Sequence, residues 1–439
     1  MLWAEHLINE KVKRVSSILC ILVLLSTCPL FGQDSTDAIP DGTEGEFLEK
    51  VKSDTLPQKW HHKRWRLFSG KISTLKLGGG FLYEFAGYSA DKTLHRQMDS
   101  IGTELEPAFK VRDFRIVASG QFKTKRNFSW KAGFMYDGAT GKWLVRETGL
   151  TIGVPELFGL FFIGRTKEGF SLNKVMNGYA GWTMERQMGI DVIPILADGI
   201  KWLGFLPKQR IFWNAGAYID WLSEGQGFST YKQQYAVRVG WLPYQSADRT
   251  KVFHIGLNYR YGNPVNGKIQ VRSRPEANPA PYFIDTGKFP SQHSNHVGGE
   301  VYCTSGSWLF GSEFYWHMFD NPDANDPVFF GGDFVVTYIL TGETRPYNNS
   351  SSIYGFVPIR KSVFKGGPGA WEALLRFSTL DLTTGSIKGG KFWRVTPMVN
   401  WYLNKDIRLE LAYGYGVLDR FELKGTTHFF QTRIQFTLL

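Results

Sequence analysis

Ten basic residues carry the chemistry this sequence offers. Six of them, Arg115, Lys131, Arg238, Arg260, Arg376 and Arg433, stand opposite oily neighbours in alternating segments. Side chains of an extended strand alternate between its faces, so each of the six lies on a polar face whose reverse is apolar. The other four, Lys167, Lys174, Arg186 and Lys201, fall in a stretch from 167 to 208 that reads as no strand. Cations lining a wet path attract anions, provided that each site binds enough to admit an ion and weakly enough to release it. Arg suits oxyanions through its planar fork, whereas Lys acts more as a point charge. Asp113, Asp220, Asp333 and Glu372 share the polar face, so neutralisation by neighbours competes with that role.

No other chemistry is framed. The nine His have no metal-ligand spacing. Gly78–Gly80 opens no strand–loop–helix unit, so it reads as a bend or bulge in the first strand rather than a phosphate loop. Ser, His and Asp are abundant, but no nucleophile motif surrounds them. Beyond the N-terminal segment Cys303 is the one cysteine, a strand residue with no internal disulfide expected. The expectation is no catalytic residue, no metal and no cofactor. Net charge is +11 but dispersed, with no dense basic tract, which excludes a nucleic-acid partner and favours anionic ones such as lipopolysaccharide or small anions.

The elements that position these residues are strands. From Lys71 onward, segments of ten to fifteen residues alternate, separated by Gly, Asn, Asp and Pro. Candidate strands begin at 72–89, 107–122, 126–137, 142–153 and 158–166. After the gap at 167–208 come 210–222, 230–243, 251–262, 267–274, 296–304, 307–319, 328–341, 370–381, 391–403, 406–418 and 427–438. That makes sixteen, an even number that suits an outer-membrane barrel. In 253–261, Phe253, Ile255, Leu257, Tyr259 and Tyr261 oppose His254, Asn258 and Arg260. Charge opposite oil, with aromatics near the strand ends, is a lipid-out, water-in pattern. The final stretch places Phe430, Ile434, Phe436 and Leu438 opposite Gln431, Arg433 and Gln435, as expected if it closes a barrel against the first strand.

Composition agrees. Aromatics are 15% and Gly counts 48 of 439 residues, with a mean hydropathy of −0.23. Polar lumen residues cancel lipid-facing ones in such an average. Residues 1–32 hold Lys11, Lys13 and Arg14 before an apolar run and read as a cleaved signal peptide. Residues 33–70 read as a polar periplasmic leader, and 71–439 as the barrel.

Several segments then resemble a known family. Residues 160–178 (LFFIGRTKEGFSLNKVMNG) and the overlapping GYAGWTMERQMGIDV, 178–192, are similar to the strand and constriction loop of the phosphate-selective porin O and P family. YILTGETRPYN, GAWEALLRFSTLDL and VNWYLNKDIRLELAYGYG resemble its late strands, in order. The resemblance spans about residues 70 to 439. It implies an all-β transmembrane antiparallel barrel of about sixteen strands in a Gram-negative outer membrane, usually a homotrimer, with one loop folded inward. Lys167, Lys174 and Arg186, and more weakly Lys201, then fall on the constriction. Gly169, Asn173 and Leu439 depart from the family pattern. The reading is a porin for passive diffusion of small hydrophilic solutes that prefers anions, including phosphate. Its rivals are a structural or adhesive barrel without an open pore, and an outer-membrane enzyme.

Overall fold

The computed structural model describes residues 67–220 and 231–438; the expected signal peptide and nearly all of the expected leader lie outside them. Residues Ser69–Leu439 form one compact unit. Its wall is a closed antiparallel barrel of 16 strands. In chain order these are β1 (Thr74–Ala90), β2 (Ala108–Gln121), β3 (Phe128–Asp137), β4 (Thr148–Val154), β5 (Gly159–Thr166), β6 (Ala197–Leu206), β7 (Ile211–Ile219) and β8 (Tyr231–Gln245). Then follow β9 (Lys251–Pro264), β10 (Ser294–Ser305), β11 (Trp308–Phe319), β12 (Val328–Ile339), β13 (Ala370–Thr384), β14 (Ile387–Tyr402), β15 (Ile407–Arg420) and β16 (Leu423–Leu438). A short strand, Lys142–Val145, also pairs with β3.

The barrel closes where the sequence places the seam. β16 pairs with β1 from Gly79–Leu438 to Ala90–Thr427, which leaves no backbone edge to face lipid. Along β16, Phe430, Phe436 and Leu438 are exposed outward, while Gln431, Arg433 and Gln435 are buried inward. The alternation read at 253–261 holds in the same sense: Leu257 is 64% exposed and Arg260 fully buried.

Two elements differ from the sequence reading. Residues 197–206, read as part of the loop, are wall strand β6, paired with β5 and β7. Its inward side carries Leu203 and the buried Phe205 as well as Lys201, so both faces are oily and alternation fades. Conversely 268–273 is a strand outside the wall. It pairs with Ile284–Pro290 as a hairpin, and its Ile269 and Val271 are buried among other apolar residues. One gain and one loss leave the count at sixteen.

Both chain ends of the barrel and most short connections lie at one end, the turn end, which also holds the long connection 340–369; most longer loops lie at the other, the loop end, beside the two-residue turns 385–386 and 421–422. Three inserts occupy the lumen. Residues 167–196 and 265–293 enter from the loop end. Residues 340–369 enter from the turn end, carrying the tiny hairpin Tyr347–Asn348/Ile353–Tyr354. Two apolar clusters bind them to the wall. One joins Met188 and Val192 to Phe283, Phe289, Phe392 and Phe429. The other joins Trp182 to Tyr302, Tyr347, Tyr354 and Met398.

Candidate functional site

The insert 167–196 is tied down at its start by two wall carboxylates. Ser171, at φ 67, caps the short helix Leu172–Val175 by accepting a hydrogen bond from Lys174 N–H at 3.0 Å. Its hydroxyl donates to Glu313 at 2.5 Å, and Asn173 N–H donates to the other Glu313 oxygen at 2.8 Å. Leu172 N–H donates to Glu300 at 2.8 Å. Further along, carbonyls of the insert take donors from the β13–β16 side: Tyr179 from Gln435, Gly181 from Arg408, Trp182 from Asn400 and Glu185 from Arg376, at 2.5–3.0 Å. Arg345, from the opposite insert, donates to Ala180 at 2.8 Å. Buried donors and acceptors without partners cost free energy, so this network fixes the loop.

That use decides the fate of half the candidate cations. Arg238 is fully buried, 2.6 Å from Glu300, with its second amino group on Ser352 O at 2.9 Å. Arg260 lies 2.7 Å from Glu168, which Lys174 also meets at 3.2 Å. Arg376 pairs with Glu276, and Arg433 with Glu84 and Glu185. Burial pushes Lys174 down to about 8, with Glu168 opposing the shift. These five hold the inserts; they present no free charge to water. Between them a cavity of about 10 Å³, lined by Glu276, Arg376, Arg394 and Gln431 among others, has room for roughly one water.

The remaining candidates converge on the opposite wall, β2–β6, together with the loop. Arg115, Lys131, Arg186 and Lys201 are half-buried. Arg115 meets Asp113 at 2.6 Å and lies over the Tyr179 ring at 4.3 Å. Lys131 meets Glu147 at 2.7 Å. Lys201 sits on the wall rather than the loop, and donates to Thr166 Oγ1 at 2.7 Å and Lys167 O at 3.2 Å. Lys167 is buried, donates to Met176 O at 2.5 Å and reaches Glu147 only at 3.9 Å. Burial holds its ammonium well below the usual range. Arg186 donates to Met176 O at 2.8 Å and has no carboxylate within 4.0 Å among the described residues. Burial and the nearby Arg115 lower it to about 10, so it stays charged at neutral pH.

Two cations of this wall escaped the sequence reading, each at a bulge. Leu82 faces Asp113 while Tyr83 faces Val111, so Arg112 is an extra residue in β2. It turns inward beside Asp113 and meets Glu185 at 2.9 Å. Phe134 faces Val145 while Lys131 faces Gly149, which puts an extra residue at Arg146–Glu147. Arg146 is half-buried and has no carboxylate within 4.0 Å among the described residues. A bulge opposes two residues to one and shifts side-chain parity, which alternation cannot foresee. Arg112, Arg115, Lys131, Arg146, Lys167, Arg186 and Lys201 thus share only Asp113, Glu147 and Glu185. Here cations are in excess.

Gly80 has a different role from the bend or bulge expected of it. Pairing with β16 runs through Gly79 and Gly80 without a break. A Cβ at Gly80 would lie 2.0 Å from the Tyr179 ring. The missing side chain lets Tyr179 of the insert lie on the wall and donate to Asp113 at 2.5 Å.

A family model described as phosphate-selective porin O and P matches residues 76–438. The anion-selective porin from Comamonas acidovorans is similar in structure, with a TM-score of 0.51 at 11% identity over 83% of this chain and 99% of that one. The outer membrane channel DcaP of Acinetobacter baumannii gives 0.52 at 11%, over 84% and 99%. OmpT of Vibrio cholerae in a trimer form gives 0.50 at 14%, over 84% and 100%. At these identities the likeness is one of fold. An uncharacterized protein of Caulobacter vibrioides is 31% identical over 132 residues, which cover 30% of this chain and 26% of that protein.

Proposed function

The chain belongs to the phosphate-selective porin O and P family, which makes it an outer-membrane channel, and on that premise we propose that it conducts small anions by passive diffusion along the β2–β6 wall. The observation that carries this reading is the local excess of cations there, against near one-to-one pairing on the rest of the lumen face. An ion moving between the wall and the insert meets Arg112 and Arg115, then Arg146 and Arg186, then Lys131 and Lys201. Each offers attraction without a closed cage, the condition for admission and release. Phosphate fits the two unpaired guanidinium groups because each presents a planar fork. In this reading 1–32 is a cleaved signal, the turn end faces the periplasm, and three copies assemble in a membrane whose outer leaflet carries lipopolysaccharide.

The test is conductance of the folded chain in a planar bilayer across a salt gradient. Chloride-selective steps that added phosphate blocks support an anion channel with a phosphate-binding passage. Selective steps without block retain the channel and remove phosphate. The three lumen inserts favour a second reading, a structural barrel without an open pore. Absence of steps from folded protein selects it.

A further inference from the structure

At the turn end the insert 340–369 leaves the lumen and crosses the rim. Val363 N–H donates to Leu403 O at 2.9 Å and Gly369 N–H to Lys361 O at 3.1 Å, which seats 361–369 on the mouth of the β13–β14 pair. Pro368 O lies on the outward side of that pair. It accepts both indole N–H groups of Trp371 and Trp401, at 3.2 and 3.0 Å, and these rings stack at 4.8 Å. Trp308 and Tyr338, with ring centroids 4.4 Å apart, continue the aromatic row at the same end. Amphipathic rings of this kind sit at the headgroup level of a bilayer. The level of the membrane surface is thereby marked on the barrel, and 360–366 lies at it.

The composition at that level is one-sided. No Asp or Glu occurs between Glu343 and Glu372. Arg345 is spent on Glu372, 2.8 Å away inside the lumen. Arg360, Lys361 and Lys365 are exposed, and among the described residues no carboxylate lies within 4.0 Å of their side-chain charges; Glu343 meets only the backbone N–H of Arg360, at 3.5 Å. Arg360 is held by the carbonyls of Thr341 and Gly342, at 3.3 and 2.6 Å, which orients its guanidinium without neutralising it. Between them Phe364 is 65% exposed, and Leu340 nearby is 56% exposed.

We propose that this rim, Arg360, Lys361 and Lys365 around Phe364, binds the headgroups of anionic phospholipids in the leaflet that surrounds the turn end. The proposal rests on the reading of the chain as a membrane-spanning barrel with that end toward the periplasm. Phe364 enters the acyl boundary while the three cations meet phosphates, the arrangement by which amphipathic basic surfaces engage anionic lipid.

The test uses the full folded chain in phosphatidylcholine bilayers doped with phosphatidylglycerol, extracted in mild detergent, with retained lipids counted by native mass spectrometry. Wild type retains phosphatidylglycerol in preference to phosphatidylcholine. R360Q/K361Q/K365Q loses that preference, by about fivefold per charge and up to roughly a hundredfold together. K405Q, at the same end but paired with Asp406 at 2.9 Å, keeps it. Should the triple variant fail to fold, K361Q and K365Q taken singly carry the test. Equal retention by wild type and variants overturns the proposal, as does release of the lipid by inorganic phosphate, which marks a free-anion site instead. Conductance of the same samples separates the two readings, since the rim lies outside the lumen and its variants leave ion selectivity unchanged.

Discussion

Neutralising Arg146 and Arg186 together tests the assignment of the conducting wall. Both are half-buried, lie on the proposed passage and have no carboxylate within 4.0 Å among the described residues, so removing their charge removes field that nothing else cancels. An ion passing roughly 7 Å from a unit charge in a water-like medium feels about 0.6 kcal/mol. In 0.1 M salt the Debye length of about 10 Å halves that, to ~0.3 kcal/mol. Loss of one cation lowers the anion's occupancy and raises a competing cation's, each by about 1.7-fold. The anion-to-cation permeability ratio then falls about threefold for one substitution and roughly eightfold for R146Q/R186Q. The assay is the reversal potential in a planar bilayer across a potassium chloride gradient. An unchanged reversal potential in folded double variant refutes the reasoning. So does an equal shift from neutralising Arg260, which Glu168 already cancels at 2.7 Å.

Arg238→Gln leaves Glu300 buried without its main partner, so it costs stability rather than selectivity, about 3–5 kcal/mol in urea unfolding. Gly80→Leu drives the Tyr179 ring off the wall and frees Asp113 from its hydroxyl; single-channel recordings then show reduced anion preference and larger, noisier steps. Burial raises Asp191, which accepts from Ser273 at 2.7 Å between two inserts, to about 7 from an ordinary 3.8. In that window the unfolded chain has lost the proton the folded chain keeps, so this contribution declines as pH rises from about 4 to about 7. Comparison of urea midpoints across that range shows the decline in wild type and its absence in Asp191→Asn.

Much of this was legible in the sequence, because a barrel wall imposes a period of two that each residue either obeys or breaks. The outward Phe430, Phe436 and Leu438 and the inward Arg433 follow from that rule alone. Its failures have local causes. Arg112 and Arg146 sit at bulges, where parity shifts by one residue. β6 hides because its inner face meets the oily side of an insert, and 268–273 misleads because it is a strand that lines no wall. Partner identity was least legible. Arg238 finds Glu300 across 62 residues and Arg433 finds Glu84 across 349, so no window of sequence announces that they are neutralised.

That last point changes what the charge of +11 means. Net charge describes the far field, whereas an ion inside a filled barrel responds to the charges it passes within a Debye length. Burying an inward-folded loop against a polar wall leaves carbonyls and carboxylates that must be matched, and Arg345, Arg376, Arg408 and Arg433 are the groups that match them. A cation used in this way is needed for the loop's position and contributes little field of its own. In the proposed reading, selectivity then falls to the cations that the loop and its carboxylates leave in excess. On this barrel those lie along one wall, where bulges turn Arg112 and Arg146 inward, and where the cations facing the insert outnumber the carboxylates they share. On the proposed reading, the same loop that neutralises one half of the lumen confines the passage to the half that is still positive.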